Sequence, residues 1–236
     1  MPYLKFISDV NLIAAVDNVI AVVERATKLA DEKLHSNVVD PFSALFQAAT
    51  YSLAYDDWVK LEKARQIQKS MQNEIGDFHQ QILGAVFGWE DLGCGGGLDV
   101  ISRSKKILAE IKNKHNTTKG NHKVELYDAL KTMLDENEYN GYVGYYVEVI
   151  PQGRKKYNKP FVPSDNKAKG KRRTINKMIR IIDGVSFYSL ATGREQALKE
   201  LFDILPRVIM ENHEYRLAGT EAEKYSKLFK MAFSTE

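Results

Sequence analysis

Along the first third of the chain, apolar residues recur at helical spacing. Leu12, Val16, Val19, Val23, Ala26, Ala30 and Leu34 fall on one face of a long helix that Ser8 or Asp9 can cap. Asp40-Pro41 marks a second start, because proline suits the first helical position, and Phe42, Leu45, Phe46 and Ala49 continue it. Both helices read as structural. A third helix runs from Asp56 or Asp57 to about Val86, with Ile67, Met71, Ile75, Phe78, Ile82 and Val86 forming its stripe.

Beyond that point the period shortens. Val100 and Ile101, then Ile107, Leu108 and Ile111, form two apolar runs, and the polar break Arg103-Ser104-Lys105-Lys106 between them predicts a hairpin. A helix over Val124 to Leu134, capped by Asn121, and a buried strand from Tyr142 to Ile150, ended by Pro151, then cover and extend that hairpin. Ile179 to Ile182 is a short strand and Asp183-Gly184 a turn. Phe187 to Leu190 and Arg194 to Leu205 are helical, separated by Gly193, with Pro206 stopping the second. A final helix, Glu221 to Phe233, carries Ala222, Tyr225, Leu228, Phe229 and Ala232 on one face. Together these elements predict an α/β protein, a central mixed sheet flanked by helices, with a helical N-terminal layer.

The hairpin is where chemistry enters. If Ser104 and Lys105 form a two-residue loop, Arg103 faces Lys106, and counting outward sets Asp99 directly opposite Glu110. Side chains alternate along a strand, so Leu108, Glu110 and Lys112 share one face while Ile107, Ala109 and Ile111 share the other. Two carboxylates about 5 Å apart repel by roughly 3 kcal/mol at an effective dielectric near 20. A divalent cation offsets that, and hard oxygen ligands with room for waters and a phosphate describe a magnesium site. The spacing Asp99, then Glu110-Ile111-Lys112, resembles the PD-(D/E)xK nuclease motif, with Leu98 where the motif's name has proline. The same residues also suit the solvated face of an edge strand, where lysines blunt aggregation.

Composition narrows the field only slightly. With 236 residues, 44% of them hydrophobic, the chain can bury a full core, and a net charge of +3 leaves any affinity for a polyanion to local clustering. A single cysteine, Cys94, excludes an internal disulfide. The N-terminal residues lack the pattern of an export signal and no stretch reads as a membrane span, so the cytoplasm is the expected compartment.

One segment concentrates the charge. From Gln152 to Lys177 ten basic residues stand against the single acid Asp165, a local balance of +9, with Tyr157, Phe161, Pro160 and Pro163 interleaved. Such a segment beside an acidic metal site suggests a clamp on the DNA backbone, whose arginines can read guanine edges. Candidate DNA contacts are Arg154, Lys155, Lys156, Lys159, Lys171, Arg172 and Arg173, together with Lys114 and Asn116 in the polar exit of the hairpin. A competing signal is Asp91-Leu92-Gly93-Cys94-Gly95-Gly96-Gly97, which looks like the glycine-rich loop of S-adenosylmethionine-dependent methyltransferases. That loop should follow an apolar strand and open a helix, whereas here the residues after it read as strand. A catalytically inactive DNA-binding protein using the basic segment is the other alternative.

Several blocks, taken together, resemble a family of type II restriction endonucleases that cut GGNCC-type sites. They are Asp40-Pro41-Phe42-Ser43-Ala44-Leu45-Phe46, Ile75-Gly76-Asp77-Phe78-His79-Gln80, Gly88-Trp89-Glu90-Asp91-Leu92-Gly93, Glu110 through Thr117, Tyr157-Asn158-Lys159-Pro160-Phe161 with Pro163-Ser164-Asp165-Asn166-Lys167, and Asp183-Gly184 with Ser186-Phe187-Tyr188 and Thr192-Gly193. The resemblance implies a PD-(D/E)xK fold and magnesium-dependent cleavage of both strands at a short palindrome, with a cognate DNA methyltransferase protecting host DNA. Asp99, Glu110 and Lys112 take the places of the catalytic motif. In this superfamily a helix before the hairpin often lends a further acid, which makes Glu74, close to the apolar stripe of the third helix, the candidate third carboxylate. A palindrome has two equivalent strands, so a symmetric homodimer with one site per subunit is the expected assembly. The expected organisation is one domain over 1–206, with a helical layer 1–86 and a catalytic core 87–206, followed by a helical extension over 207–236.

Overall fold

The computed structural model describes residues 1–34, 38–93, 97–118, 120–165, 171–218 and 221–233. Cys94, Gly95 and Gly96 of the glycine-rich stretch, and Asn166, Lys167 and Lys169 of the basic segment, lie outside the described residues. The chain divides into two compact units, one of Ala15–Phe78 and one of Met1–Ala14 with His79–Glu236.

Helices make up the first of these. α1 (Asp9–Lys28) and α2 (Ala30–Lys33) follow the first predicted stripe, with a break at Leu29 where one continuous helix was expected. α3 (Pro41–Tyr51) starts as predicted, the Asp40 carboxylate accepting from the Phe42 and Ser43 amides. Its stripe, however, is no core face, since none of its residues is buried. α4 (Tyr55–Gly84) is the third predicted helix, and Trp58 donates from Nε1 to Gln47 of α3 at 3.2 Å.

The sheet belongs to the other unit. Its strands in chain order are β1 (Glu90–Asp91), β2 (Val100–Ser102), β3 (Ile107–Lys114), β4 (Val143–Ile150), β5 (Asn158–Pro160), β6 (Ser164–Asp165), β7 (Lys171–Arg172) and β8 (Ile179–Asp183). Six of them form one mixed sheet in the order β1-β2-β3-β4-β8-β5, and β6 with β7 form a separate ribbon in the basic segment. β3, β4 and β8 are parallel, and the remaining pairings are antiparallel. The helix α5 (Gly120–Leu134) connects β3 to β4, as a parallel pair requires. It begins before Asn121, so Asn121 is a helical residue and not its cap.

Both faces of the sheet are covered, which is why β4 is buried along most of its length. On one face Tyr127 and Leu130 of α5 pack with Leu108, Tyr146 and Ile179. Gly144 permits this approach, because a Cβ there would meet Leu130 Cδ2 at 2.8 Å. On the other face lies α6 (Gly184–Thr192), whose Phe187 ring meets Tyr145 and Trp89. Asp183-Gly184 is thus not a turn. Asp183 caps α6 by accepting from the Ser186 amide, and Gly184 permits the close approach to β4, because a Cβ there would lie 2.7 Å from Val149 Cα.

α7 (Ala197–Asn212) also departs from expectation, since Pro206 lies inside it. The ring removes a helical hydrogen bond, but Leu198, Leu201 and Val208 bury one continuous face on both sides of the proline and carry the helix through. α8 (Ala222–Phe233) closes the chain with Phe229 and Phe233 buried. Among the described residues no helix is long and apolar enough to cross a membrane.

Candidate active site

The hairpin register puts two acids face to face. Val100 pairs with Ala109, Ile101 with Leu108 and Ser102 with Ile107, so one step further Asp99 stands opposite Glu110, and Arg103 opposite Lys106 at the turn. The turn spans four residues, 103–106, rather than the two-residue loop expected at Ser104-Lys105, with Lys106 in the left-handed conformation at φ of 54°; the strand register is the one expected all the same. Asp99 is fixed at the strand mouth by its backbone and by its side chain. Its amide donates to the Ala109 carbonyl at 3.0 Å, and its Oδ2 accepts from the Ile111 amide at 2.6 Å.

Glu110 is mostly buried and Lys112, two residues on and on the same face, donates to its Oε1 at 2.5 Å. Burial and the charge of Asp99 push the Glu110 carboxyl above its ordinary value, and Lys112 pulls it back in part. This is an acidic pair holding more negative charge than its own lysine balances. Among the described residues no three His, Cys, Asp or Glu side chains converge on one point. Asp99 and Glu110 are two facing carboxylates, a pair that fits magnesium when waters and a substrate phosphate complete its shell. Glu74 sits half-buried on α4, its carboxyl pushed up by burial and by Asp77, and drawn down by Arg25.

Next to the pair is a second set of charges that sequence reasoning missed. In the parallel register Lys112 lies beside Glu148, and Glu148 beside Asp183, across three adjacent strands. Glu148 and Asp183 are both buried, so each needs partners. Lys123 of α5 donates to Glu148 Oε1 at 2.8 Å, and the Tyr157 hydroxyl donates to Oε2. The same Tyr157 gives its amide to Asp183 Oδ2 at 2.7 Å and accepts from the Asp183 amide at 3.1 Å. Burial, reinforced by Glu148, drives the Tyr157 hydroxyl far above the usual tyrosine range, so it stays a donor. A lone acid in the apolar strand Val143-Gly144-Tyr145-Tyr146-Val147-Glu148-Val149-Ile150 was the available signal.

Tyr157 thereby ties the start of the basic segment to the ends of β4 and β8. Arg154, Lys155, Lys156 and Lys159 are exposed around it, with Lys159 Nζ 5.4 Å from the Tyr157 ring centre. β7 carries Lys171 and the exposed Arg172, while Arg173 is half-buried and paired with Asp128 of α5 at 2.7 Å. Lys114 ends β3, half-buried, and Asn116 is exposed in the following loop. The glycine-rich stretch leads into β2 rather than a helix, which is the wrong context for a methyltransferase loop.

A sequence profile described as Eco47II restriction endonuclease matches residues 4–213. The chain is 42% identical over 211 residues to the type II restriction enzyme Eco47II of Escherichia coli, spanning 89% of this chain and 87% of that one. It is 29% identical over 235 residues to the type II restriction enzyme Sau96I of Staphylococcus aureus, spanning 98% and 89%.

Proposed function

Because the chain belongs to the Eco47II restriction endonuclease family, and is a type II site-specific deoxyribonuclease, we propose that Asp99, Glu110 and Lys112 are its cleavage centre. The observation that carries this reading is the register of β2 on β3, which sets the two acids opposite each other with Lys112 on the same face. Asp99 and Glu110 would hold a magnesium ion. Bound there, the ion supplies polarisation of the scissile phosphate and a lower pKa for the attacking water. Lys112 orients that water and offsets the charge that builds on the phosphate as the leaving oxygen departs. The anchoring of Asp99 through two backbone contacts holds its carboxylate in place without reorganisation.

The substrate is double-stranded DNA with a GGNCC-type palindrome, held along its backbone by Arg154, Lys155, Lys156, Lys159, Lys171 and Arg172, with Lys114 and Asn116 beside the cut. Arg173 contributes by way of α5, since its guanidinium is already on Asp128. Two copies of the chain, each with one centre, cut the two strands, and a cognate methyltransferase protects host sites in the same cytoplasm. Digestion of unmethylated plasmid tests this reading. Discrete fragments in magnesium and none in EDTA are expected, and the fragment ends identify the site. Intact DNA in magnesium under conditions where the protein binds it would overturn the reading.

A further inference from the structure

We infer that α3 is the surface through which two copies of this chain associate, an inference that rests on the paired-strand cleavage proposed above. The helix is built inside out. Its half-buried residues are the small Ala44 and Ala48, and Gln47 beside them holds Trp58. The large apolar residues point away: Phe42 is 73% exposed, Leu45 67% and Phe46 71%. With Ala49 they form an i, i+3, i+4, i+7 stripe, the pattern by which one helix packs on another.

Charge and area identify the occupant. No residue from Pro41 to Tyr51 is charged. DNA is thereby excluded, because its phosphates call for lysine or arginine. A second copy of the same helix fits, since an uncharged stripe laid on itself brings no like charges together. With the two-fold axis perpendicular to the helix the two copies run antiparallel, and the one charge at this helix, the Asp40 cap, falls at opposite ends of the pair. Three large side chains at this exposure offer roughly 100–150 Å² each, about 400 Å² in all. A standard interface takes about 800 Å² from each partner, a little over half of it apolar, so the stripe supplies that apolar share.

α8 is the competing surface and is less suited. It exposes Tyr225, Leu228 and Met231, but Lys224, Lys227 and Lys230 interleave with them, and a two-fold contact would bring those lysines together.

Sedimentation of the intact chain at micromolar concentration without DNA decides the matter. The wild type is expected at twice the 26.9 kDa chain mass. Phe46→Glu and Phe46→Lys, each with unchanged helical circular dichroism, should sediment at the single-chain mass, and an equal mixture of the two should regain the doubled mass. Leu228→Glu should remain a dimer. A wild type at the single-chain mass, position-46 variants that keep the doubled mass, or loss of the dimer in Leu228→Glu alone would each overturn the inference. So would loss of helical signal in the position-46 variants, because an exposed side chain tolerates a charge. The outcome is independent of cleavage: a monomer that cuts DNA contradicts this interface and leaves the nuclease reading intact, and a dimer that never cuts does the reverse.

Discussion

Asp99 and Glu110 were legible because a hairpin converts sequence distance into spatial pairing. Once the turn was placed at Ser104-Lys105, the opposition of the two acids followed by counting, and the structure has that register. Glu148 was not legible in the same way. Its partners Lys123 and Tyr157 lie 25 and 9 residues away, and no local spacing rule joins them. A buried carboxylate announces that partners exist without naming them. Tyr157→Phe removes a donor from that buried acid, and a loss of roughly 1–3 kcal/mol in urea unfolding is expected. No loss would mean that water or Lys123 alone satisfies Glu148.

His79 gives a second residue-scale prediction. Its Nδ1 lies 2.8 Å from the hydroxyl of the fully buried Tyr188, and burial lowers its pKa from 6.5 to about 4. The fold favours the neutral ring, whereas the unfolded chain takes up a proton below about pH 6.5. Stability is therefore complete above that pH and falls as pH drops from 6.5 toward 4, by roughly 1–3 kcal/mol. In His79→Leu the unfolding midpoint should lie lower at pH 7 yet change less between pH 7 and pH 5. An unchanged pH slope would show that other groups dominate acid unfolding.

At the scale of elements, periodicity identified faces but not what covers them. The apolar residues of α3 continue a helix in the sequence, and nothing in their spacing tells that the fold leaves them exposed. The stripe predicted for the third helix is buried at Phe78 and Ile82 of α4 and at Val86 just beyond its end. Pro206 misled because a local rule, that proline ends helices, yields to a buried face continuing past it. Asp183-Gly184 misled because the turn-forming pair is also a cap followed by a residue without a side chain. Gly184→Ala would put a Cβ against the Val149 backbone. A loss of about 1–3 kcal/mol is expected, as for other overpacked sites. A neutral effect would mean that α6 shifts easily on β4.

For the whole molecule, the sequence predicted a mixed sheet flanked by helices, and that architecture is present. The position of the basic segment was less readable, because charge clustering marks a segment and not its anchor. The anchor is Tyr157, held by Glu148 and Asp183 at the ends of adjacent strands. Arg154, Lys155, Lys156 and Lys159 should then act together on DNA backbone. Replacing all four with Gln is expected to lower the slope of log K against log salt by about 0.9 for each phosphate no longer neutralised, with similar weakening on any sequence. An unchanged salt slope would move the clamp elsewhere.

The most direct test of the cleavage centre measures cutting and binding in the same variants. Glu110→Ala, Asp99→Asn and Lys112→Ala, with Glu74→Gln beside them, are compared with wild type for plasmid cleavage in magnesium and for binding of a duplex that carries the site. Loss of at least about a hundredfold in cutting rate is expected for the three hairpin variants, with binding and folding retained. Full cutting by Glu110→Ala would contradict the assignment and leave the facing carboxylates without a part in the reaction.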